Sequence, residues 1–276
     1  MKLKKVLADT ANKLSESGIE GAARDARILT AYALQIPISE LSLKINEQVS
    51  GEITSKLEKL ILRRIHREPI SKILGRREFW GRTFSINENV LDPRGDTETL
   101  IDFVIEKPVK SVIELGTGSG VIAVTLACEW KEVHVTATDI SEEALLLAKL
   151  NAQKFNVQNK IDFLKSDWFE RVKGPFDLII SNPPYIGLIE QDEISAEVIK
   201  YDPKISLFAG SDGLDAYRRI IPNLPKFLNP DGFAVLEIGA SQGNQVKNMM
   251  NAVGLIDAKI VKDLSGKDRL VSAKVA

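Results

Sequence analysis

The sequence predicts an α/β protein, with a seven-stranded, mostly parallel sheet following a small N-terminal helical bundle and a hairpin linker. Three observations carry this reading. From Ser111 onward, short apolar runs alternate with helical patterns, the texture of a parallel sheet covered on both faces. About the first 65 residues instead repeat apolar positions at helical spacing. Between the two regions, Phe79-Trp80-Gly81-Arg82-Thr83-Phe84 places aromatics on either side of a glycine, as a hairpin does.

Residues 1–68 form the expected helical domain. Val6, Leu7, Ala11 and Leu14 make one stripe, closed by Ser17-Gly18. Ala26, Leu29, Ala33 and Leu34 make a second, within Ala22 to Leu34. Leu57, Leu60, Ile61, Leu62 and Ile65 make a third. Residues 69–95 are the expected hairpin linker. Residues 96–276 are the expected catalytic domain, and at its boundary Gly95-Asp96-Thr97-Glu98 offers a cap before a helix from Leu100 to Ile105. Strands are expected at Val112–Leu115, Val133–Thr138, Ile161–Leu164, Phe176–Ser181, Gly232–Ile238, Ile256–Val261 and Leu270–Lys274. A parallel crossover needs about a dozen residues, so the short link from Lys262 to Arg269 makes the last strand antiparallel. Seven strands with a reversed last one is the Rossmann-like arrangement of methyltransferases.

Composition narrows the functional classes. The chain has 276 residues, 44% hydrophobic and 27% charged, with a net charge of −1. A nucleic-acid coat or membrane-surface protein is usually more basic. The single cysteine, Cys128, permits no intrachain disulfide and lies in an apolar segment, as a small core residue does. His66 and His134 have no Cys or acidic cluster at metal-ligand spacing, so no metal site is expected. No apolar run approaches the roughly 20 residues of a spanning helix. The basic start, Met1-Lys2-Leu3-Lys4-Lys5, is followed by an apolar run that Asp9 breaks, which is unlike a secretory signal. A cytoplasmic protein is expected.

The motifs with chemistry lie at the ends of expected strands, where open α/β sheets bind ligands. Asn182-Pro183-Pro184-Tyr185 follows the apolar run Phe176–Ser181. Two prolines end the ladder and hold the loop extended. An asparagine at that tip presents both a carbonyl and an amide, suited to a planar amide or amino group. Glu114-Leu115-Gly116-Thr117-Gly118-Ser119-Gly120 falls where the first sheet strand turns into its helix. A dinucleotide fingerprint would place its third glycine at position 121, which is Val121. The Gly116, Gly118, Gly120 spacing with Glu114 upstream is the S-adenosylmethionine pattern instead. Asp139 ends the second strand, 23 residues past Gly116, placed to accept ribose hydroxyls. Ser141 can cap the next helix, leaving Asp139 for the ligand. In Ser166-Asp167-Trp168-Phe169, a polar group can meet an adenine amino edge and Trp168 can flank the ring. The alternative is that Trp168 and Phe169 are simply core.

Taken together, these motifs resemble the release factor glutamine methyltransferases, the HemK/PrmC family. The resemblance spans nearly the whole chain: Arg67-Glu68-Pro69-Ile70, Gly75 to Trp80, Pro93-Arg94 with Asp96-Thr97-Glu98, Glu114 to Gly120, Ser166 to Phe169 and Ser181 to Ile186. Asn-Pro-Pro-Tyr alone is shared with amino-directed DNA and RNA methylases, whereas the Arg-Glu-Phe-Trp and Pro-Arg-x-Asp-Thr-Glu elements are far more specific. The resemblance implies methyl transfer from S-adenosyl-L-methionine to the glutamine side-chain amide of the Gly-Gly-Gln motif in class I peptide chain release factors. It implies that Glu114, Gly116, Thr117, Gly118, Ser119, Gly120, Asp139, Trp168 and Asn182 serve the cofactor. Asn182, Pro183, Pro184 and Tyr185 would hold the substrate. Of these, Asn182 and Pro183 would accept the amide hydrogens and Tyr185 would pack near the amide plane. A monomer without a stable nucleic-acid partner is expected. One departure is visible: Gly95 stands where the family usually has proline, which predicts a more mobile loop.

An amino-directed DNA or RNA methyltransferase is the alternative, against which the near-neutral charge weighs. A catalytically silent module that docks a translation factor is a second, opposed by the intact glycine loop, Asp139 and Asn182. A dehydrogenase is disfavoured by Val121. The basic residues Lys59, Arg63, Arg64, Arg67, Lys72, Arg76 and Arg77 read either as a solvated face or as a contact for an acidic partner or RNA.

Overall fold

The computed structural model describes residues 1–275 and divides into two compact units. One comprises Met1–Gly75 and the excursion Ala196–Tyr201. The other comprises Arg76–Ser195 and the chain from Asp202 onward.

The first unit is helical: α1 (Leu3–Glu16), α2 (Ala22–Leu34), α3 (Gly51–Ile65) and α4 (Ile70–Leu74). Its core gathers Leu3, Val6, Leu14, Leu29, Leu41, Leu57 and Ile61. Ser50 starts α3 by accepting a hydrogen bond from the Ile53 amide. The expected third stripe needs one correction, because Leu62 is exposed. At roughly 100° per residue, Leu62 lies about 140° from Leu57, whereas Arg64 returns nearly to its meridian. The helix therefore buries an arginine where the sequence pattern offered a leucine.

Arg64 survives there because it is paired. Its Nε donates to Asp25 Oδ2 at 2.8 Å, and its Nη1 donates to Glu197 Oε1 at 3.0 Å and to the Glu68 carbonyl at 3.2 Å. Glu197 belongs to the six-residue helix α8 (Ala196–Tyr201). The same helix caps the end of α3: the Tyr201 hydroxyl and Lys200 Nζ both donate to the His66 carbonyl. Arg63 pairs with Glu68, and Arg67 donates to the Ser17 and Gly18 carbonyls. Three of the seven basic residues thus make charged or polar contacts inside the unit.

The second unit begins with a hairpin, β1 (Arg76–Phe79) and β2 (Arg82–Ser85). Its two-residue turn has positive φ at both Trp80 (48°) and Gly81 (67°), the geometry that matches strand twist. There follow α5 (Glu98–Ile105), β3 (Ser111–Leu115), α6 (Val121–Glu129), β4 (His134–Asp139), α7 (Glu142–Lys154), β5 (Ile161–Lys165) and β6 (Phe176–Ser181). After the excursion come α9 (Asp215–Ile220), α10 (Leu224–Phe227), β7 (Leu228–Glu237), α11 (Gly243–Ala252), β8 (Ile256–Lys262) and β9 (Asp268–Lys274).

The sheet order is β5-β4-β3-β6-β7-β9-β8, parallel except at β9, which runs antiparallel to both neighbours. This is the seven-stranded arrangement the sequence predicts. β7 starts four residues earlier than expected, because Leu228 pairs with Phe176 before a bulge and Phe233 resumes opposite Leu178. Alternate strand residues feed opposite faces. Val112, Leu178 and Ile180 join α5, α6 and the hairpin, while Ile113 and Ile179 join α9, α10 and α11.

Arg64→Met should destabilise the helical unit by about 3–5 kcal/mol, because Asp25 is then left buried without its counter-charge. Adding Asp25→Leu should recover much of that loss. Chemical denaturation of the two variants measures both.

Candidate functional site

Parallel pairing sets the site. Leu115 stands opposite Thr138 on one side and Ser181 on the other. The next residues, Gly116, Asp139 and Asn182, therefore leave the sheet side by side. They open onto a cavity of about 440 Å3, within the range of small-molecule sites.

The glycine loop is fastened from three directions. The Thr117 amide donates to the Thr138 carbonyl at 2.8 Å. The Gly118 amide donates to Asp139 Oδ2 at 2.9 Å. Asn151 of α7 donates to the Ser119 carbonyl at 2.8 Å and exchanges two further hydrogen bonds with Ser85 of β2. Gly116 and Gly118 have φ of +71° and +54°, which side chains other than glycine's adopt at a cost. Gly120 does not line the cavity. Its hydrogen faces α7, where an added Cβ would lie 3.0 Å from Ala148 Cβ. It sets helix packing.

Glu114 and Asp139 bring two carboxyls to the cavity. Glu114 is buried; its Oε2 accepts from Thr117 Oγ1 at 2.6 Å and from the Ala123 amide at 3.0 Å. Burial pushes its carboxyl up to about 8, against those two bonds, with Asp139 adding repulsion. Asp139 is raised as well, by burial, with backbone donors pulling it back. Ser141 caps α7 as expected, its Oγ accepting from the Ala144 amide. Asp139 is not left free by this, since Oδ1 accepts from the Ser141 amide and Oδ2 from Gly118. Each oxygen retains a lone pair for a ligand.

Asn182 lines the cavity and donates through Nδ2 to Thr97 Oγ1 at 3.0 Å. Pro184 also lines it, whereas Pro183 and Tyr185 do not. The Tyr185 ring packs into the core below. Its phenol is raised by burial and by the charge of Glu237, and Arg269, Arg94 and Asp96 act on it too. The aromatic therefore supports the loop from behind and forms no wall of the cavity. Gln242, also buried, ties the loop down by donating to the Tyr185 carbonyl at 2.8 Å.

Trp168 lines the cavity over Gly116, with Ile140, Ala144 and Phe208 among its apolar neighbours there. Phe169 is core and stacks on Phe227 at 4.5 Å. Ser166 is consumed locally, donating to the Trp168 carbonyl and accepting from the Arg171 amide. Gly95 opens a tight turn with free space around it, yet the residues after it are anchored. Asp96 pairs with Arg269 at 3.0 Å, Thr97 holds Asn182, and Glu98 accepts from the Trp80 amide at 2.8 Å. Those three anchors oppose the looseness expected from the missing proline. The last of them also joins the Arg-Glu-Phe-Trp and Asp-Thr-Glu elements physically.

Sequence reading missed Ile140, Phe208, Asn151, Gln242 and Thr97 as parts of this site. Asn151 carried a signal, being a polar residue on the buried side of an amphipathic helix.

The comparisons with known proteins give the family. Residues 87–205 match the methyltransferase small domain, and residues 5–75 match the PrmC N-terminal domain. A release factor glutamine methyltransferase of Cereibacter sphaeroides is 43% identical over 95% of this chain and 95% of its own length. A bifunctional methyltransferase of Rickettsia prowazekii is 40% identical over 98% of this chain, which spans 56% of that longer protein. Among solved structures, the hMettl16 catalytic domain in complex with MAT2A 3'UTR hairpin 6 superposes with a TM-score of 0.60 at 17% identity. It covers 79% of this chain and 82% of its own, a likeness of fold alone.

Gly120→Ala should lower stability by about 1–3 kcal/mol, through overpacking against Ala148 and a left-handed φ. Thermal unfolding checks it.

Proposed function

The chain belongs to the release factor glutamine methyltransferase family, and on that premise we propose that it methylates the side-chain amide nitrogen of a release-factor glutamine. The observation that carries the proposal is Asn182. With Nδ2 engaged by Thr97, its Oδ1 is left to accept from an NH2 group at the cavity. We assign the methyl donor as S-adenosyl-L-methionine and the acceptor as the glutamine of the Gly-Gly-Gln motif in class I peptide chain release factors.

The cavity fits that donor. Its two carboxyls would meet the positive charge and hydroxyl donors that such a ligand brings, which favour the carboxylate form that burial disfavours. Asp139 would take the ribose hydroxyls. Gly116, Thr117, Gly118 and Ser119 would follow the amino-acid portion, with Glu114 beneath. Trp168 and Ile140 would flank the adenine. When bound, S-adenosylmethionine supplies an activated methyl on a sulfonium.

The chain's own task is to prepare the nucleophile. An amide nitrogen is weak because its lone pair is delocalised. Asn182 Oδ1 and the Pro183 carbonyl, carried between two lining residues, would each accept one N–H and fix the nitrogen's orientation. As its bond to the methyl forms in place of the methyl's bond to sulfur, the nitrogen would release one proton to solvent water. Holding reactants in line contributes up to roughly 7–11 kcal/mol of barrier lowering, and no separate acid–base dyad is required because the nitrogen becomes acidic as its charge develops. Residues 1–68 would recognise the protein substrate and the hairpin linker would join them to the catalytic part. A monomer in the cytoplasm fits, where the lone Cys128 stays reduced.

Asp139→Ala should weaken cofactor binding by roughly 1.5–3 kcal/mol in calorimetry, the range for hydrogen bonds to a charged group. Unchanged affinity in a folded variant removes the ribose role.

Asn182→Ala should keep cofactor affinity and lose most turnover. The acceptor is tested by offering a release factor, its Gly-Gly-Asn variant and duplex DNA in parallel, with labelled cofactor. Transfer to the intact release factor alone supports the proposal. Transfer to DNA, or equal transfer to the Asn variant, favours a nucleic-acid or unspecific amino methylase.

A further inference from the structure

Glu237 ends β7 and is fully buried, yet it does not line the cavity. Neither of its carboxyl oxygens closes a well-formed hydrogen bond, although the Thr97 and Tyr185 hydroxyls face it and act on it. A carboxyl left so is costly, and the groups around it are specific. Thr97 and Asp96 face it from the turn Gly95–Thr97, Tyr185 from the Asn-Pro-Pro-Tyr loop, Arg269 from β9 and Tyr217 from α9. Arg269 is the one cation of the set, and it is already shared between Asp96 and Asp263, each at 3.0 Å. The Tyr217 hydroxyl is spent on the Glu237 backbone carbonyl at 2.7 Å.

Thr97 supplies the connection. Its oxygen accepts from Asn182 Nδ2, so its own proton needs a different acceptor. The carboxyl it faces is that of Glu237.

We propose that Glu237 is a positioning residue that acts through the Thr97 hydroxyl to set which way the Asn182 amide faces. As a carboxylate, Glu237 accepts the Thr97 proton. The Thr97 lone pair then turns to Asn182 Nδ2, and Asn182 Oδ1 is presented to the substrate amide. As a carboxylic acid, Glu237 donates to Thr97 instead. The Thr97 proton then seeks Asn182 Oδ1, and the acceptor the substrate needs is withdrawn. Burial raises the Glu237 carboxyl to about 7, with Asp96 adding to the rise and Thr97, Arg269 and Tyr185 opposing it. The carboxylate form is therefore gained as pH rises through about 7 and lost below it.

The inference rests on the release-factor reading. The experiment is the profile of kcat from about pH 6 to about pH 8.5, with saturating cofactor and release factor. Wild-type kcat is expected to fall about tenfold per unit on the acid side of about pH 7. E237Q cannot titrate, so it should lose that limb, with kcat flat across the range and KM for both substrates within about twofold. T97V should lower kcat, and T97S, which restores the hydroxyl, should recover most of the loss. Melting temperature and cofactor affinity confirm that each variant is folded. A wild-type profile flat across this range overturns the inference without any variant. So does an acid limb that persists unshifted in E237Q, or a T97S enzyme as slow as T97V. If wild-type protein transfers no methyl to a release factor at all, the release-factor reading fails first.

Discussion

The site depends on one constraint, the register of β3 between β4 and β6. Leu115, Thr138 and Ser181 lie abreast in that register. Three motifs far apart in the sequence therefore emerge at one edge of the sheet, each about one strand spacing, roughly 4.8 Å, from the next. A slip of one residue in either pairing would turn core residues such as Ile113 and Ile179 to the wrong face. Burial on both faces thus fixes the register, and the register fixes the cavity. The hydrophobic core is in this sense the positioning device for Gly116, Asp139 and Asn182.

Around that edge, buried polar groups act as fasteners. Asp139 holds Gly118, Asn151 holds Ser119, Gln242 holds the Tyr185 carbonyl and Thr97 holds Asn182. Each bond joins two segments that meet only in the folded chain. Losing one partner leaves the other desolvated and unpaired, which costs more than the bond contributes when both are present. The loops are accordingly fastened without any ligand, as alignment of a weak nucleophile requires.

Much of this was legible in the sequence, for physical reasons. Strand positions followed from apolar runs that must be buried, and the reversed last strand from a link too short for a crossover. The glycine loop and Asn182-Pro183-Pro184-Tyr185 were legible because backbone restrictions narrow what such residues can do. The remainder was not. The burial of Arg64 depends on Asp25 and Glu197, which periodicity cannot supply. Tyr185 was placed at the substrate by the family resemblance, but its neighbours Glu237 and Arg269 come from strands much later in the chain. Gly120 read as part of the cofactor loop, and only the packing of α6 on α7 shows its real neighbour, Ala148. Local pattern reports conformation and burial well. It is silent on which buried polar groups will meet.

The central claim is that Asn182 is held in one orientation, with Nδ2 on Thr97 and Oδ1 toward the acceptor nitrogen. A crystal structure of the protein with S-adenosylhomocysteine and a release-factor domain bearing the Gly-Gly-Gln loop tests it directly. The account predicts the glutamine NH2 within hydrogen-bond reach of Asn182 Oδ1, its nitrogen facing the sulfur, and the Thr97 bond intact. An Asn182 amide turned so that Nδ2 meets the glutamine carbonyl, or a glutamine bound away from Asn182, would contradict it.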